Sequence, residues 1–233
     1  MLLAIDTSGD RAGVALGTPG RVWAEETIIG ARRHAGVLLP MIDRVLRAAG
    51  VSPAGLEGIV LADGPGSFTG LRVGAAVAKA LCDTHGTPLW TASALLVLAA
   101  GLPRDARCVL AASDALRGEI YLAAYRIRLE VVETLLTPTV RAPGEVPALG
   151  LPVDLVCGAA PHPALETLAA ELGARYAPPP TGGSRAADLL ALAGMRGGAV
   201  PVPDPTGWEP DYGRPAEAQR RWEVAHGRAL PHP

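Results

Sequence analysis

The sequence predicts an α/β protein of two lobes, each a sheet covered by helices. Three observations carry this. The first 30 residues break into three short strand-like runs separated by Gly, Asp and Pro turns. Helices and strands then alternate, and a second series of strand-like runs begins near Arg107. A chain of 233 residues is long enough for two small lobes that each bury a core. The expected division is 1–105 for an N-terminal lobe, 106–205 for a degenerate second lobe, and 206–233 for a C-terminal segment packing back on the body.

The elements follow in order. Leu2 to Thr7 is an apolar run that ends in the turn Asp6-Thr7-Ser8-Gly9, and Ala12 to Leu16 and Arg21 to Ile28 complete an antiparallel meander. Leu38, Met41, Ile42, Val45, Leu46 and Ala49 recur at helical spacing, with Asp43, Arg44 and Arg47 opposite and Gly50 as the stop. Pro40 must fall in the first turn or kink this helix. Ile59 to Ala62 reads as a buried strand that enters the loop Gly64 to Ser67, which opens a helix from about Thr69 to Thr84. A strand at Pro88 to Thr91 and a helix at Ser93 to Ala100 close the series. Three antiparallel strands, then helix, strand, helix, strand is the order of a ribonuclease-H-like lobe.

The second series opens with a hairpin, Cys108 to Ala112 and Ile120 to Tyr125, followed by a third strand at Leu129 to Leu135. Val153 to Cys157 is a buried strand, and Pro161 to Leu172 and Ala186 to Met195 are helices. Pro138 to Pro152 and Pro178 to Gly183 read as connections, and Ala216 to Val224 as a helix in the C-terminal segment. The two halves repeat an element order without repeating residues.

Composition excludes several classes. The net charge of −2 is not the footprint of a protein that grips nucleic acid alone. Lys79 is the only lysine and there is no asparagine. Cys82, Cys108 and Cys157 are odd in number and widely spaced, which predicts reduced, buried thiols and a cytoplasmic setting. The opening Met1-Leu2-Leu3-Ala4-Ile5-Asp6 does not read as a basic leader with a cleavage site, and the longest apolar run, Ala94 to Leu102, is about half of what a membrane-spanning helix needs. His34, His85, His162, His226 and His232 never occur four apart, so no metal-ligand pair is expected.

Two segments could carry chemistry. Asp6, Thr7 and Ser8, at a strand end before a turn and a second strand, are similar to the first phosphate loop of the actin, Hsp70 and sugar-kinase superfamily. The plainer reading is a hairpin whose Asp and Ser satisfy backbone donors. A full nucleotide clamp would need a second phosphate loop and an adenosine loop. The candidates, Asp114-Ala115-Leu116 and Gly158-Ala159-Ala160, are degenerate.

The other segment is Gly64-Pro65-Gly66-Ser67-Phe68-Thr69-Gly70-Leu71-Arg72-Val73-Gly74. It is either an anion cradle at a helix N-terminus or a tight strand-to-helix turn. On the helix that follows, Gly70, Gly74 and Ala78 form a small-residue stripe, Arg72, Lys79 and Asp83 a polar one, and Val73, Val77 and Leu81 a third face. So little polarity calls for cover on two sides, one by the sheet and one by a closely packed helix. That second cover is either intramolecular or a partner subunit; a chain of this size has few spare helices, so a partner is expected, with Leu38, Met41 and Val45 of the preceding helix joining Gly70, Val73, Gly74, Val77, Ala78 and Leu81 in the interface.

The same segment looks like a hallmark of the TsaB family. So do Leu3-Ala4-Ile5-Asp6-Thr7-Ser8, Arg33-His34 with Leu38 to Ile42, Asp114 with Arg117-Gly118-Glu119-Ile120-Tyr121, and Pro210-Asp211-Tyr212-Gly213-Arg214 with Ala216-Glu217-Ala218. The resemblance runs from residue 2 to about 222; Gly36 departs from it, standing where a glutamate is usual. It implies a pseudo-enzyme: a non-catalytic partner of TsaD in tRNA threonylcarbamoyladenosine formation, without cofactor or metal. TsaD carries a His-x-x-x-His metal motif where this chain reads Ser93-Ala94-Leu95-Leu96-Val97-Leu98. The implied partners are TsaD in a heterodimer and the ATPase TsaE, with tRNA reached only through the complex, a homodimer when alone, and no membrane. The rival expectations are a small-molecule kinase or ATPase of the same fold and a metallopeptidase.

Overall fold

The computed structural model describes residues 1–30, 34–102, 108–178 and 184–213. The expected helix from Ala216 to Val224 lies outside them.

The first sheet holds β1 (Leu2–Asp6), β2 (Arg11–Thr18), β3 (Arg21–Ile29), β4 (Gly58–Asp63), β5 (Leu89–Ser93) and β11 (Val200–Val202). The second holds β6 (Val109–Asp114), β7 (Ile120–Ile127), β8 (Val132–Arg141), β9 (Leu155–Gly158) and β10 (Arg175–Ala177). Their orders are β3-β2-β1-β4-β5-β11 and β8-β7-β6-β9-β10. In each, the first strand pairs antiparallel with the second and parallel with the fourth, as Ala4 does with Ala15 and Val60, and Leu110 with Ala124 and Val156. The chain is an α/β protein of two ribonuclease-H-like lobes.

The helices are α1 (His34–Ala49), α2 (Phe68–His85), α3 (Ala94–Ala100), α4 (Pro163–Glu171) and α5 (Ala186–Ala193). α1 and α2 cover the outer face of the first sheet, α4 that of the second, and α3 and α5 fill the space between the sheets. The alternation of strand side chains makes these layers. Leu3, Ile5, Val14 and Leu16 point to α1 and α2, while Ala4 and Ala15 point to the inter-sheet core. α3, though it follows the first set of strands, packs on β6 and β7; α5, which follows the second set, packs on β1 and β2. The lobes exchange a helix.

Several expectations change. The stretch expected as a second lobe, 106–205, contributes α5 and the antiparallel strand β11 to the first sheet. Pro40 lies inside α1, on its exposed side. β8 runs through Pro138, read above as the start of a connection; as the edge strand it tolerates a residue that cannot donate. β10 and β11, three residues each, were absent from the expected elements.

Candidate partner face and the closed loop beside it

Asp6 ends β1, and its carboxylate is fully engaged. One oxygen accepts from Ser8 N (2.9 Å) and Ser8 Oγ (2.6 Å); the other accepts from Ser184 Oγ at 2.5 Å. Asp6, Thr7 and Ser8 are buried. Asp114 ends the equivalent strand of the second lobe and does the same local work, accepting from Leu116 N at 2.6 Å. Each aspartate closes its own hairpin two residues on, which is the plainer of the two readings of the tripeptide.

The Gly64 to Ser67 loop is closed by the chain itself. A side chain on Gly66 would overlap the Ser8 carbonyl, and one on Gly64 the Asp211 carbonyl. Ser67 N donates to Ser8 O at 2.7 Å, and the Ser67 hydroxyl caps α2 by accepting from Gly70 N at 3.2 Å. The glycines therefore serve backbone approach on two sides, a tight strand-to-helix turn. In the second lobe, a side chain on Gly158 would collide with Leu165, so the Gly158-Ala159-Ala160 turn serves close packing of α4.

The expected partner stripe is corrected by the same geometry. Gly70, Gly74 and Ala78 face inward: Ala78 is 0% exposed, and a methyl on Gly74 would overlap the Thr7 hydroxyl and stand 3.2 Å from Leu61. The close partner of this stripe is the chain's own sheet, because β4 and Thr7, just past β1, lie beneath α2. Leu38, Met41 and Val45 are likewise buried under α1. Val73, Val77 and Leu81 are half-buried toward the α1 side.

What α2 turns outward is a second run of small residues, Thr69, Ala76 and Ala80, missed because only one stripe of small residues was taken as the contact. On α1, Leu39 stands 58% exposed, and Ala35, Gly36 and Pro40 are exposed with it. α1 and α2 pack side by side, so these residues line one outward-facing layer.

The other flank of α2 carries Phe68, Arg72 and Lys79, covered by residues 203–213. The Arg72 guanidinium lies 4.1 Å from the Phe68 ring centre and 5.6 Å from that of Tyr212, and the two rings are 4.8 Å apart. Lys79 Nζ donates to Thr206 O (3.2 Å) and Glu209 (2.9 Å). Hydrogen bonding to Lys79 lowers the Glu209 carboxyl below its ordinary range. The i,i+4 placement of Phe68 and Arg72 was a readable sign of part of this cluster.

Asp188 on α5 sits near Asp6, Glu25 and Arg185 at the inner face of the first sheet. Burial pushes its carboxyl up to about 6, with Arg185 opposing and Glu25 and Asp6 adding to the rise. Arg185 is tied to Glu25 at 2.5 Å. Cys82, Cys108 and Cys157 are buried free thiols, and burial alone raises Cys157 to about 12. Among the described residues, no three His, Cys, Asp or Glu side chains converge on a metal position, and no helix is long and apolar enough to cross a membrane.

The sequence model of a family described as TsaD, tRNA N6-adenosine threonylcarbamoyltransferase, matches residues 28–194. The tRNA threonylcarbamoyladenosine biosynthesis protein TsaB of Escherichia coli (strain K12) is 38% identical over 127 residues, 54% of either chain. Its namesake in Bacillus subtilis (strain 168) is 33% identical over 135 residues, 58% of this chain and 59% of that one. The chain thus spans about half the length of the curated relatives it matches. The solved structure of YeaZ from Pseudomonas aeruginosa is 30% identical and superposes with a TM-score of 0.73 over 91% of this chain and 98% of that one.

Proposed function

The chain belongs to the TsaB family, within the group matched by the TsaD sequence model, and from that premise we propose that it is a non-catalytic subunit of a tRNA threonylcarbamoyladenosine-forming complex. Its role in this reading is to pair with TsaD through the outward layer of α1 and α2, and so hold TsaD in its working form. TsaE joins the pair, and tRNA is met through the assembled complex.

The observation that carries this is the outward face itself. Thr69, Ala76 and Ala80 present no bulk, and Leu39 stands exposed beside them. Small residues on a helix let a second helix approach closely, and an exposed leucine supplies apolar area to bury. The aspartates that would face a phosphate tail in a nucleotide-using relative are instead bonded to their own hairpins. That favours a scaffold over a kinase.

The test is a pair of substitutions, Ala76→Arg and Ala80→Arg, made separately. Both positions are solvent-facing, so melting temperatures should stay close to wild type. A long cation in a close helix contact should cost several kcal/mol of association, on the order of a thousandfold in affinity. Co-purification with the TsaD of the same cell should fail. In cells depleted of the native protein, threonylcarbamoyladenosine in tRNA, measured by mass spectrometry, should not be restored. Full rescue by both variants would overturn the docking face, and ATP hydrolysis by the purified chain would replace the scaffold with a nucleotide-using enzyme.

A further inference from the structure

Three segments far apart in the sequence meet at one point. Gly213, at the end of the strap 203–213, lies against Tyr121 of β7 and Pro65 of the loop before α2. A methyl on Gly213 would stand 2.6 Å from the Tyr121 ring and 3.0 Å from Pro65, and its φ of +69 is one that glycine adopts freely. Pro65 belongs to the first lobe and Tyr121 to the second. The strap therefore crosses the junction between the sheets.

The strap is held differently along its length. Trp208 packs against the core beneath α1 and α2, and Pro210 is buried, so the middle of the strap is fixed to the first lobe. Beyond it, Asp211 N donates to Asp63 Oδ1 at 2.7 Å, Asp211 Oδ1 accepts from Gly213 N at 2.8 Å, and Tyr212 stacks with Arg72 and Phe68. Asp211 and Tyr212 set Gly213 into its notch. Asp211 and Gly213 are exposed and Tyr212 is half-buried, and hydrogen bonds and ring contacts at the surface hold them. That is the profile of a segment that opens locally at much lower cost than global unfolding.

The geometry points to Asp211–Gly213 being a latch that holds the second lobe's β6–β7 hairpin against the Gly64–Ser67 loop at the outer edge of the junction, beyond the core that α3 and α5 fill between the sheets. With the latch seated, the Tyr121 ring, the Pro65 ring and the Gly213 backbone fill one another's space. With it released, the hairpin and the loop lose a shared neighbour and open locally, while the core between the sheets stays joined. The Phe68-Arg72-Tyr212 stack is then what positions the latch, and Trp208 keeps it within reach. The latch stands whether or not α2 docks a partner.

Hydrogen exchange read by mass spectrometry on the full chain tests this with two variants, Gly213→Ala and Tyr212→Ala. The first blocks the notch and disfavours the backbone conformation; the second removes the stack and leaves the notch intact. In both, peptides covering 64–70 and 115–122 should exchange tenfold faster or more, while β1 to β3 exchange as in wild type. Acceleration confined to 203–213, with 64–70 and 115–122 unchanged in both variants, overturns the latch, because the strap would then be a passive tail. Equal acceleration across β1 to β3 overturns it as well, since the strap would belong to the cooperative core and not to a separately opening joint.

Discussion

Gly74→Ala isolates the contact that decides which way α2 faces. In an open helix this change is stabilising by up to about 1 kcal/mol, because alanine is the better helix former. Here the added methyl meets the Thr7 hydroxyl, which is itself pinned by donating to Gly70 O at 2.7 Å, and Leu61 lies 3.2 Å away on the sheet. Thr7 is fully buried, so its hydroxyl cannot swing aside without abandoning that bond. Overpacking of this kind costs about 1–3 kcal/mol. Set against the helix gain, the net is a destabilisation of roughly 1–2 kcal/mol, or about 2–8 °C in melting temperature for a chain of this size. Thr7→Ala removes the obstructing oxygen, so in that background the methyl should be neutral or stabilising. Denaturant unfolding of the four proteins in the cycle gives the coupling; the helix gain cancels between backgrounds, so the expected value is the overpacking cost of about 1–3 kcal/mol. Additivity within about 0.5 kcal/mol would refute the packing. So would stabilisation by Gly74→Ala alone, which is what a stripe left open for a partner would show.

Two further outcomes follow from the inner face of the first sheet. Asp188 is an acid whose folded pKa, about 6, lies above its ordinary value of 3.8. Its contribution is therefore fully present below about pH 4 and lost as pH rises through 6. Asp188→Asn has no such loss, so its melting temperature should gain on wild type between pH 4.5 and 7.5; a gap that does not change with pH rejects the shift. Asp6→Asn keeps the shape but halves the acceptors that hold Ser8 and Ser184, and should cost about 1–3 kcal/mol in urea unfolding. Unaltered stability would mean those bonds carry nothing.

Much of this fold is legible because it is periodic. The face of α1 made by Leu38, Met41, Ile42, Val45 and Leu46 is written at helical spacing, and the burial follows it. The short apolar runs of β1, β4 and β9 stand between turn residues and could only be buried strands. What local pattern cannot state is where an element goes. Nothing in Ala186–Ala193 says that this helix crosses to β1 and β2, because any apolar helix satisfies either sheet. β10 and β11 are too short to show a period. The stripe of Gly70, Gly74 and Ala78 was readable as a place of close approach, but not what approaches. Thr7 and Leu61 hold that answer, at the other end of a long sequence separation.

The duplication itself helps to explain why one surface and not another is free. In the first lobe, the link from β3 to β4 carries α1, which packs beside α2. The equivalent link from β8 to β9 carries only two short 3-10 turns, Pro143–Glu145 and Pro147–Leu149. There, Val146, Val153 and α4 close the outer core of the second sheet without a second helix. The inner helices have exchanged lobes and are buried between the sheets. Among the described residues, then, a side-by-side pair of outer helices exists once, although the fold was built twice. A partner that itself presents paired helices would find a matching surface on one lobe and not on the other. If α1 and α2 dock a partner as proposed above, this asymmetry sets which lobe is used.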